Sequence, residues 1–189
     1  MLIEKRGMIK HNIEEATGKL EVIGALFRGH YSFDDIIFLP KFGKMDLAKE
    51  VLRLRVLQIK NWDTKDVILD HKKYEGRGDD RVAKVIFHQE FNNQQEALDF
   101  IKDYQNGKFQ QAFDFSREGW EYHLGDSRIF LEQVEYLGPT VEILTDNEEH
   151  LHKVVHELGI GKILTDPLPK ILSKKYKSII KSGLWNNFR

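Results

Sequence analysis

The sequence predicts an α+β fold built on a mostly antiparallel sheet. Alternation of apolar and charged residues recurs in segment after segment, while helical spacing of apolar residues is confined to four stretches. The clearest piece is Ser127 to Leu144, SRIFLEQVEYLGPTVEIL, which reads as two neighbouring strands joined by a tight Gly138-Pro139 turn. No period of about 20 to 50 residues repeats, which excludes solenoids and propellers on pattern.

In chain order, Met1 to Ile9 alternates with Leu2, Glu4 and Arg6 on one face and is a candidate first strand. Asn12 followed by Glu15 forms a capping-box pattern, and Ile13, Ala16, Leu20 and Ile23 recur near helical spacing, so a helix is expected from Ile13 to Ile23. Tyr31 to Leu39 reads as a strand closed by Pro40. Val51 to Ile59 sets Arg53 and Arg55 on one side and Leu52, Leu54 and Val56 on the other. After a polar turn from Asn61 to Lys65, Val67 to Tyr74 carries Ile68, Asp70 and Lys72 together, and Gly76 and Gly78 mark a hairpin loop. Arg81 to Phe91 follows, with Lys84, Ile86, His88 and Glu90 on one face.

Asn93 and Glu96 open a second helix with Ala97, Phe100, Ile101 and Tyr104 as its apolar stripe and Gly107 as its stop. Phe109 to Leu124 is either a strand pair or one long bent strand, with Arg117 alternating with Phe115 and Phe113. In the hairpin that follows, Arg128, Phe130, Glu132 and Val134 share a face, and Glu132 and Glu142 can point the same way. Such a face also suits a hairpin with one side in water. Asn147 opens a third helix carrying Leu151, Val154, Val155 and Leu158, closed by Gly159. Pro167 and Pro169 precede a last helix with Ile171, Leu172, Tyr176, Ile179 and Ile180 as its buried stripe.

The 189 residues, 41% of them hydrophobic, can bury a substantial core and are read as one domain over 1–189. The 29 basic and 30 acidic residues leave a net charge of -1, so any functional field arises from local segregation of charge, and nonspecific nucleic-acid binding is disfavoured. The absence of cysteine excludes disulfides, thiolate metal sites and a cysteine nucleophile. With no apolar signal core and no stretch of spanning length, the expectation is a soluble, cytoplasmic protein.

Strand after strand pairs an apolar face with one bearing Arg, Lys or Glu. Helices packed on the apolar faces leave the charged faces to a sheet that could curl into a barrel or tunnel, where like charges would repel unless a ligand neutralised them. Arg53, Arg55, Lys72 and Arg117 ask for a polyanion, and Glu4, Glu90, Glu132 and Glu142 for a hard divalent cation. A triphosphate with magnesium or manganese satisfies both.

These residues resemble the motifs of the CYTH superfamily, the triphosphate tunnel enzymes that include class IV adenylyl cyclases and thiamine triphosphatases. The family's LRxR strand is matched by Leu52-Arg53-Leu54-Arg55, and its LTxK strand resembles Leu69-Asp70-His71-Lys72. Its long hairpin motif resembles Leu131 to Glu142, and the helix ending in LGI is matched at Glu157-Leu158-Gly159-Ile160. The final SYxxL-type helix is echoed at Lys175 to Ile179. The resemblance runs nearly end to end and implies an eight-stranded antiparallel β-barrel or tunnel with helices packed outside.

It also implies a metal-dependent enzyme that cyclises a nucleoside triphosphate or hydrolyses an organic triphosphate, with Mg2+ or Mn2+ as cofactor. On this mapping Arg6, Arg53, Arg55, Lys72, Lys84 and Arg117 bind phosphate, Glu4, Glu90, Glu132 and Glu142 face the metal, and His88 and Glu90 are the catalytic candidates. The chain departs from the pattern at Leu2 and Leu144, where acids are expected, at His88 in place of a carboxylate, and at Phe115 in place of a cation. These departures keep open a non-catalytic phosphate or nucleotide receptor. His88 suits a neutral metal ligand, a general base or a hydrogen-bonded part of the tunnel wall.

His152 and His156 stand at zinc-ligand spacing on one helix with His150 nearby, but lack the glutamate of HExxH and suit a solvated face. The lysine-rich final helix reads as the wet side of an amphipathic element that could also close a tunnel mouth. Exposed strand edges or that helix could support a homodimer.

Overall fold

The computed structural model describes residues 3–59, 65–75 and 82–181. Leu2, the polar turn from Asn61 to Thr64, the loop with Gly76 and Gly78, and Arg81 lie outside the described residues, as do the side chains of Ile179 and Ile180. The elements are β1 (Ile3–Met8), α1 (Ile13–Val22), β2 (Leu26–Pro40), β3 (Glu50–Ile59), β4 (Lys65–Glu75), β5 (Val82–Phe91) and α2 (Gln94–Asp103). They are followed by β6 (Phe109–Leu124), β7 (Ser127–Val134), β8 (Gly138–Thr145), α3 (Glu148–Glu157), β9 (Lys162–Ile163) and α4 (Leu168–Lys181). The strands are hydrogen-bonded in the order β5-β4-β3-β2-β6-β7-β8-β1-β9.

This is the expected α+β architecture, and the pairs β1–β8, β1–β9, β4–β5, β6–β7 and β7–β8 are all antiparallel. Two differences stand out. Among the described residues the sheet has nine strands, because the short β9 adds to β1, and the order ends at β5 and β9 without pairing them.

The chain divides into two compact units, residues 1–33, 58–64 and 116–165, and residues 34–57, 65–115 and 166–189. In the first unit, β7 and β8 bury Ile129, Leu131, Val141 and Ile143 against Ala16 and Leu20 of α1 and Val154 of α3. Strict alternation sends Arg128, Phe130, Glu132, Glu142 and Leu144 to the opposite face, because residues paired across an antiparallel ladder share a side. Asn12 caps α1 by accepting from the Glu15 N–H at 2.8 Å, but Glu15 returns its carboxylate to His11 at 2.6 Å instead of completing the capping box.

The β7–β8 turn is Glu135-Tyr136-Leu137, and Gly138 and Pro139 already belong to β8, paired with Val134 and Gln133. Tyr136 takes the left-handed conformation at φ 61° and Gly138 follows at φ 95°, so the glycine relieves the exit of the turn and not its centre. Phe109–Leu124 is one continuous strand, resolving the alternative left open by its sequence.

The second unit packs α2 under its sheet, with Ala97 and Ile101 against Leu52 and Leu54 of β3, Val67 and Leu69 of β4 and Ile36 and Phe38 of β2. Phe87, Phe100, Tyr104 and Phe109 form a connected aromatic layer at that core, with centroids 5.1 to 6.0 Å apart. Burying the apolar stripe of β3 on this side turns Arg53 and Arg55 to the other, as alternation requires. Asn93 caps α2 through the Glu96 N–H at 2.9 Å.

Candidate functional site

Each unit carries a cluster of cations and carboxylates on the sheet face away from its apolar core. In the second unit, Arg55 holds Asp35 in a fork, Nε to Oδ1 at 2.7 Å and a terminal nitrogen to Oδ2 at 2.9 Å. Arg53 donates to Asp70 Oδ2 at 3.1 Å and approaches Asp35 at 3.7 Å. Lys72 reaches the same Asp70 oxygen at 3.1 Å, and His88 Nδ1 meets Asp70 Oδ1 at 2.7 Å. Asp35 and Asp70 are 1% and 5% exposed. Burial pushes the Asp70 carboxyl up, but the hydrogen bond from His88 and the charges of Arg53 and Lys72 outweigh it and hold Asp70 below the usual carboxylate range.

Strand register explains the membership of this cluster. Asp70 stands directly opposite His88, and Ile68 opposite Glu90. The ladder slips between His71 and Lys72, so that Val85 opposes Lys72 and Lys84 opposes Lys73. This bulge breaks the uniform alternation expected along β5. Lys84 is set with Lys73, not on the side that carries Asp70 and His88.

In the first unit the centre is Glu132, 2% exposed. Its Oε2 accepts from Arg6 at 2.7 Å, and its Oε1 from Arg117 at 2.8 Å and from the Tyr31 hydroxyl at 3.1 Å. Arg6 also pairs with Glu142, its register partner across β1 and β8. Arg117 lies over the Phe33 ring, 4.6 Å from its centroid. Burial raises the Glu132 carboxyl, yet Arg6 and Arg117 more than offset this and leave it ionised below the ordinary range, while burial and the neighbouring Glu132 charge push the Tyr31 hydroxyl far up. Gly119 opposes Glu132 across β6 and β7, and a Cβ built on it would lie 2.5 Å from the Tyr31 hydroxyl oxygen and inside contact of its ring. Only glycine at this position admits the tyrosine.

Of the expected phosphate ligands, Arg53, Arg55 and Lys72 gather in one cluster and Arg6 and Arg117 in the other. The expected metal-facing acids have other surroundings within their own units. Glu132 is committed to two guanidiniums and a phenol, Glu142 to Arg6, and Glu4 is exposed opposite Leu144. Glu90, in the other unit, is exposed opposite Ile68. Among the described residues no group of three or more His, Cys, Asp or Glu side chains is arranged to hold a metal ion. In this arrangement Glu132 and Glu142 are paired with arginines and do not form a ready donor set for a divalent ion.

Sequence reading missed Asp35, Tyr31 and Gly119, and it noted Asp70 without giving it a role. Asp35 sits in a run, FDDII, where either aspartate could take either side, and period two sets it with Ile37 on the face opposite the core residues Ile36 and Phe38. Nothing in the sequence alone marks Gly119 as the seat of an aromatic ring.

The histidines of α3 do not form a zinc site. His150 Nδ1 instead hydrogen-bonds the buried Ser127 hydroxyl at 2.9 Å, and that hydroxyl is 2.6 Å from Thr145 Oγ1. Among the described residues no helix is long and apolar enough to cross a membrane.

The CYTH domain model matches residues 3–167. No curated protein matches the chain. Among solved structures, the PH1819 protein of Pyrococcus horikoshii is 20% identical, with 93% of this chain and 99% of that one covered at a TM-score of 0.70. A Vibrio parahaemolyticus protein whose name proposes an adenylate cyclase is 15% identical, covering 91% of this chain and 97% of its own at a TM-score of 0.63. HpAC1 of Hippeastrum, named as a proposed adenylyl cyclase with a dominant triphosphatase activity, is 16% identical, with 97% and 96% covered and a TM-score of 0.60. At these identities the likeness is one of fold. With the family's domain model spanning nearly all of the described elements, the chain belongs to the CYTH domain family.

Proposed function

We propose that this chain is a CYTH-type enzyme that binds and processes a nucleoside or other organic triphosphate. The observation that carries the reading is the gathering of Arg53, Arg55 and Lys72 about Asp35 and Asp70, three cations on two carboxylates on one sheet face. Anchoring by buried Asp70 engages a terminal nitrogen of Arg53 without consuming all five of its N–H groups. The remaining donors and the Lys72 ammonium suit the non-bridging oxygens of phosphates.

Phosphoryl transfer asks little covalent chemistry of the protein, so positioning and charge compensation carry the rate. Arg53, Arg55 and Lys72 orient the phosphate chain and offset charge that develops as a phosphorus–oxygen bond breaks. Arg6, fixed by Glu132 and Glu142, and Arg117, held by Glu132, form a separate cationic cluster in the first unit. Glu132 and Glu142 are engaged by these arginines, and no step is assigned to a resident metal. A divalent ion enters this reading as part of the triphosphate substrate.

The same engagement of Glu132 and Glu142 favours a second reading, a phosphate or nucleotide receptor that retains cations without turnover. Incubation with ATP or inorganic tripolyphosphate in Mg2+ or Mn2+, with cyclic AMP, pyrophosphate, ADP and phosphate resolved, separates the two. Turnover supports the enzyme, tight binding without products supports the receptor, and the absence of both overturns the triphosphate reading.

A further inference from the structure

We infer that Asp70 and His88 form a dyad that orients the attacking water, directing this chain toward hydrolysis of a terminal phosphate in preference to cyclisation. The inference rests on the triphosphate reading of the same cluster and deepens it. Its basis is the pairing of two side chains that stand opposite each other on β4 and β5, a buried carboxylate and an imidazole.

Asp70 is the hub. Its Oδ2 accepts from Arg53 and from Lys72, each at 3.1 Å, and its Oδ1 lies 2.7 Å from His88 Nδ1. One carboxylate thus fixes two phosphate-binding cations and one imidazole in a single assembly. An ionised carboxylate only accepts, so the proton shared with it belongs to Nδ1, and in the neutral ring Nε2 then carries the lone pair. The His88 side chain is 51% exposed, in contrast to the 7% of the Asp70 side chain that holds it. The pair thus consists of a buried anchor and an accessible acceptor.

That acceptor supplies what the cations lack. Arginine and lysine donate hydrogen bonds and cannot receive one from water. A water that donates to His88 Nε2 keeps an oxygen lone pair directed at the terminal phosphorus held by Arg53 and Lys72. In the step, the water oxygen–phosphorus bond forms and the bond to the bridging oxygen breaks, its electron pair leaving with the shortened phosphate chain. The second water proton passes to a non-bridging oxygen of the transferred group, yielding phosphate. His88 is therefore a water-orienting group and Asp70 a positioning residue that acts through it. Cyclisation draws its nucleophile from the ribose and gains nothing from an oriented water.

The test uses wild type, His88→Ala, His88→Gln and Asp70→Asn with inorganic tripolyphosphate or ATP and Mg2+, measuring phosphate and cyclic AMP release alongside tripolyphosphate affinity in chelator by calorimetry. His88→Ala is expected to lower kcat about 100-fold, the scale of a lost positioning contact, while KM and the affinity in chelator stay within about twofold. His88→Gln, whose amide oxygen can accept from water, should recover about tenfold of that loss. Asp70→Asn should lower kcat and also raise KM, because Arg53 and Lys72 lose their shared anchor.

Unchanged kcat in His88→Ala, or a loss matched by an equal loss of affinity, would overturn the dyad while leaving the triphosphate reading in place. Cyclic AMP formed from ATP faster than phosphate would overturn the preference for hydrolysis. A wild-type protein that does not bind tripolyphosphate would remove the underlying reading, and this inference with it.

Discussion

Gly119→Ala is a small change that the structure makes expensive. In an extended strand alanine ordinarily replaces glycine with a gain of about 0.5–1 kcal/mol, because glycine surrenders more backbone freedom on folding. Here the new methyl group would sit inside contact of the Tyr31 ring, 2.5 Å from its hydroxyl oxygen, and Tyr31 is buried. Moving the ring costs about 1–3 kcal/mol for overpacking, and losing the 3.1 Å hydrogen bond to ionised Glu132 adds about 1.5–3 kcal/mol. The net expectation is a loss of about 2–5 kcal/mol. At about 2–4 °C per kcal/mol for a chain of this size, thermal unfolding should fall by about 4–20 °C. A double-mutant cycle isolates the cause, since Tyr31→Ala removes the obstacle and should make Gly119→Ala neutral or stabilising in that background. An undiminished cost there, or a cost below about 0.5 kcal/mol in the wild type, would refute this packing of β6 against Tyr31.

Three further outcomes follow from the same geometry. Arg55→Lys keeps the charge but not the fork on buried Asp35, so stability should drop by about 1–3 kcal/mol, read from chemical denaturation with an unchanged m-value. Asp70 and Glu132 have depressed carboxyl values, so their contribution is fully present above the unfolded carboxylate range of about 4 and is lost as the pH falls through the depressed values. The melting-temperature gap between wild type and Glu132→Gln should therefore be widest near neutrality and narrow below about pH 4, and a gap independent of pH would contradict it. Asn147 accepts from both the Glu149 and His150 N–H groups, so Asn147→Ala should cost about 1 kcal/mol, visible as faster amide exchange in the first turn of α3.

The hairpin shows how much of the fold was legible in the sequence. Alternation alone set Glu132 and Glu142 on one face of the hairpin, and Ile129, Leu131, Val141 and Ile143 fill the other, because a half-buried strand writes its two environments at period two. The turn was misplaced by a few residues because Gly138-Pro139 is the stronger local signal, while the left-handed residue is Tyr136, a type that seldom advertises that conformation. β2 begins at Leu26, ahead of the expected Tyr31, since its first residues are partly exposed on both faces and carry no alternation. β9 is two residues long and exists only through its pairing with β1.

The cations of the site were legible because Arg53 and Arg55 are unusual on an apolar strand. Their anchors were not, since an aspartate in FDDII or LDHK reads equally as a solvated residue until the partner strand is known. Lys84 illustrates the opposite failure, as simple alternation grouped it with His88 and the bulge after His71 sets it apart. Glu132 and Glu142 share a face with arginines, and a pattern of glutamates does not reveal whether their partners are ions or arginines. In Glu132 the partners are arginines.

The central claim is that Arg53, Arg55 and Lys72 form a seat for phosphate. Calorimetric titration of inorganic tripolyphosphate into wild type and into Arg53→Ala/Lys72→Ala, with melting curves confirming that both are folded, tests it most directly. The account predicts a saturable wild-type isotherm whose affinity falls at least about 100-fold in the variant, the equivalent of about 1.4 kcal/mol for each lost cation contact. Equal affinity in the two folded proteins would contradict it.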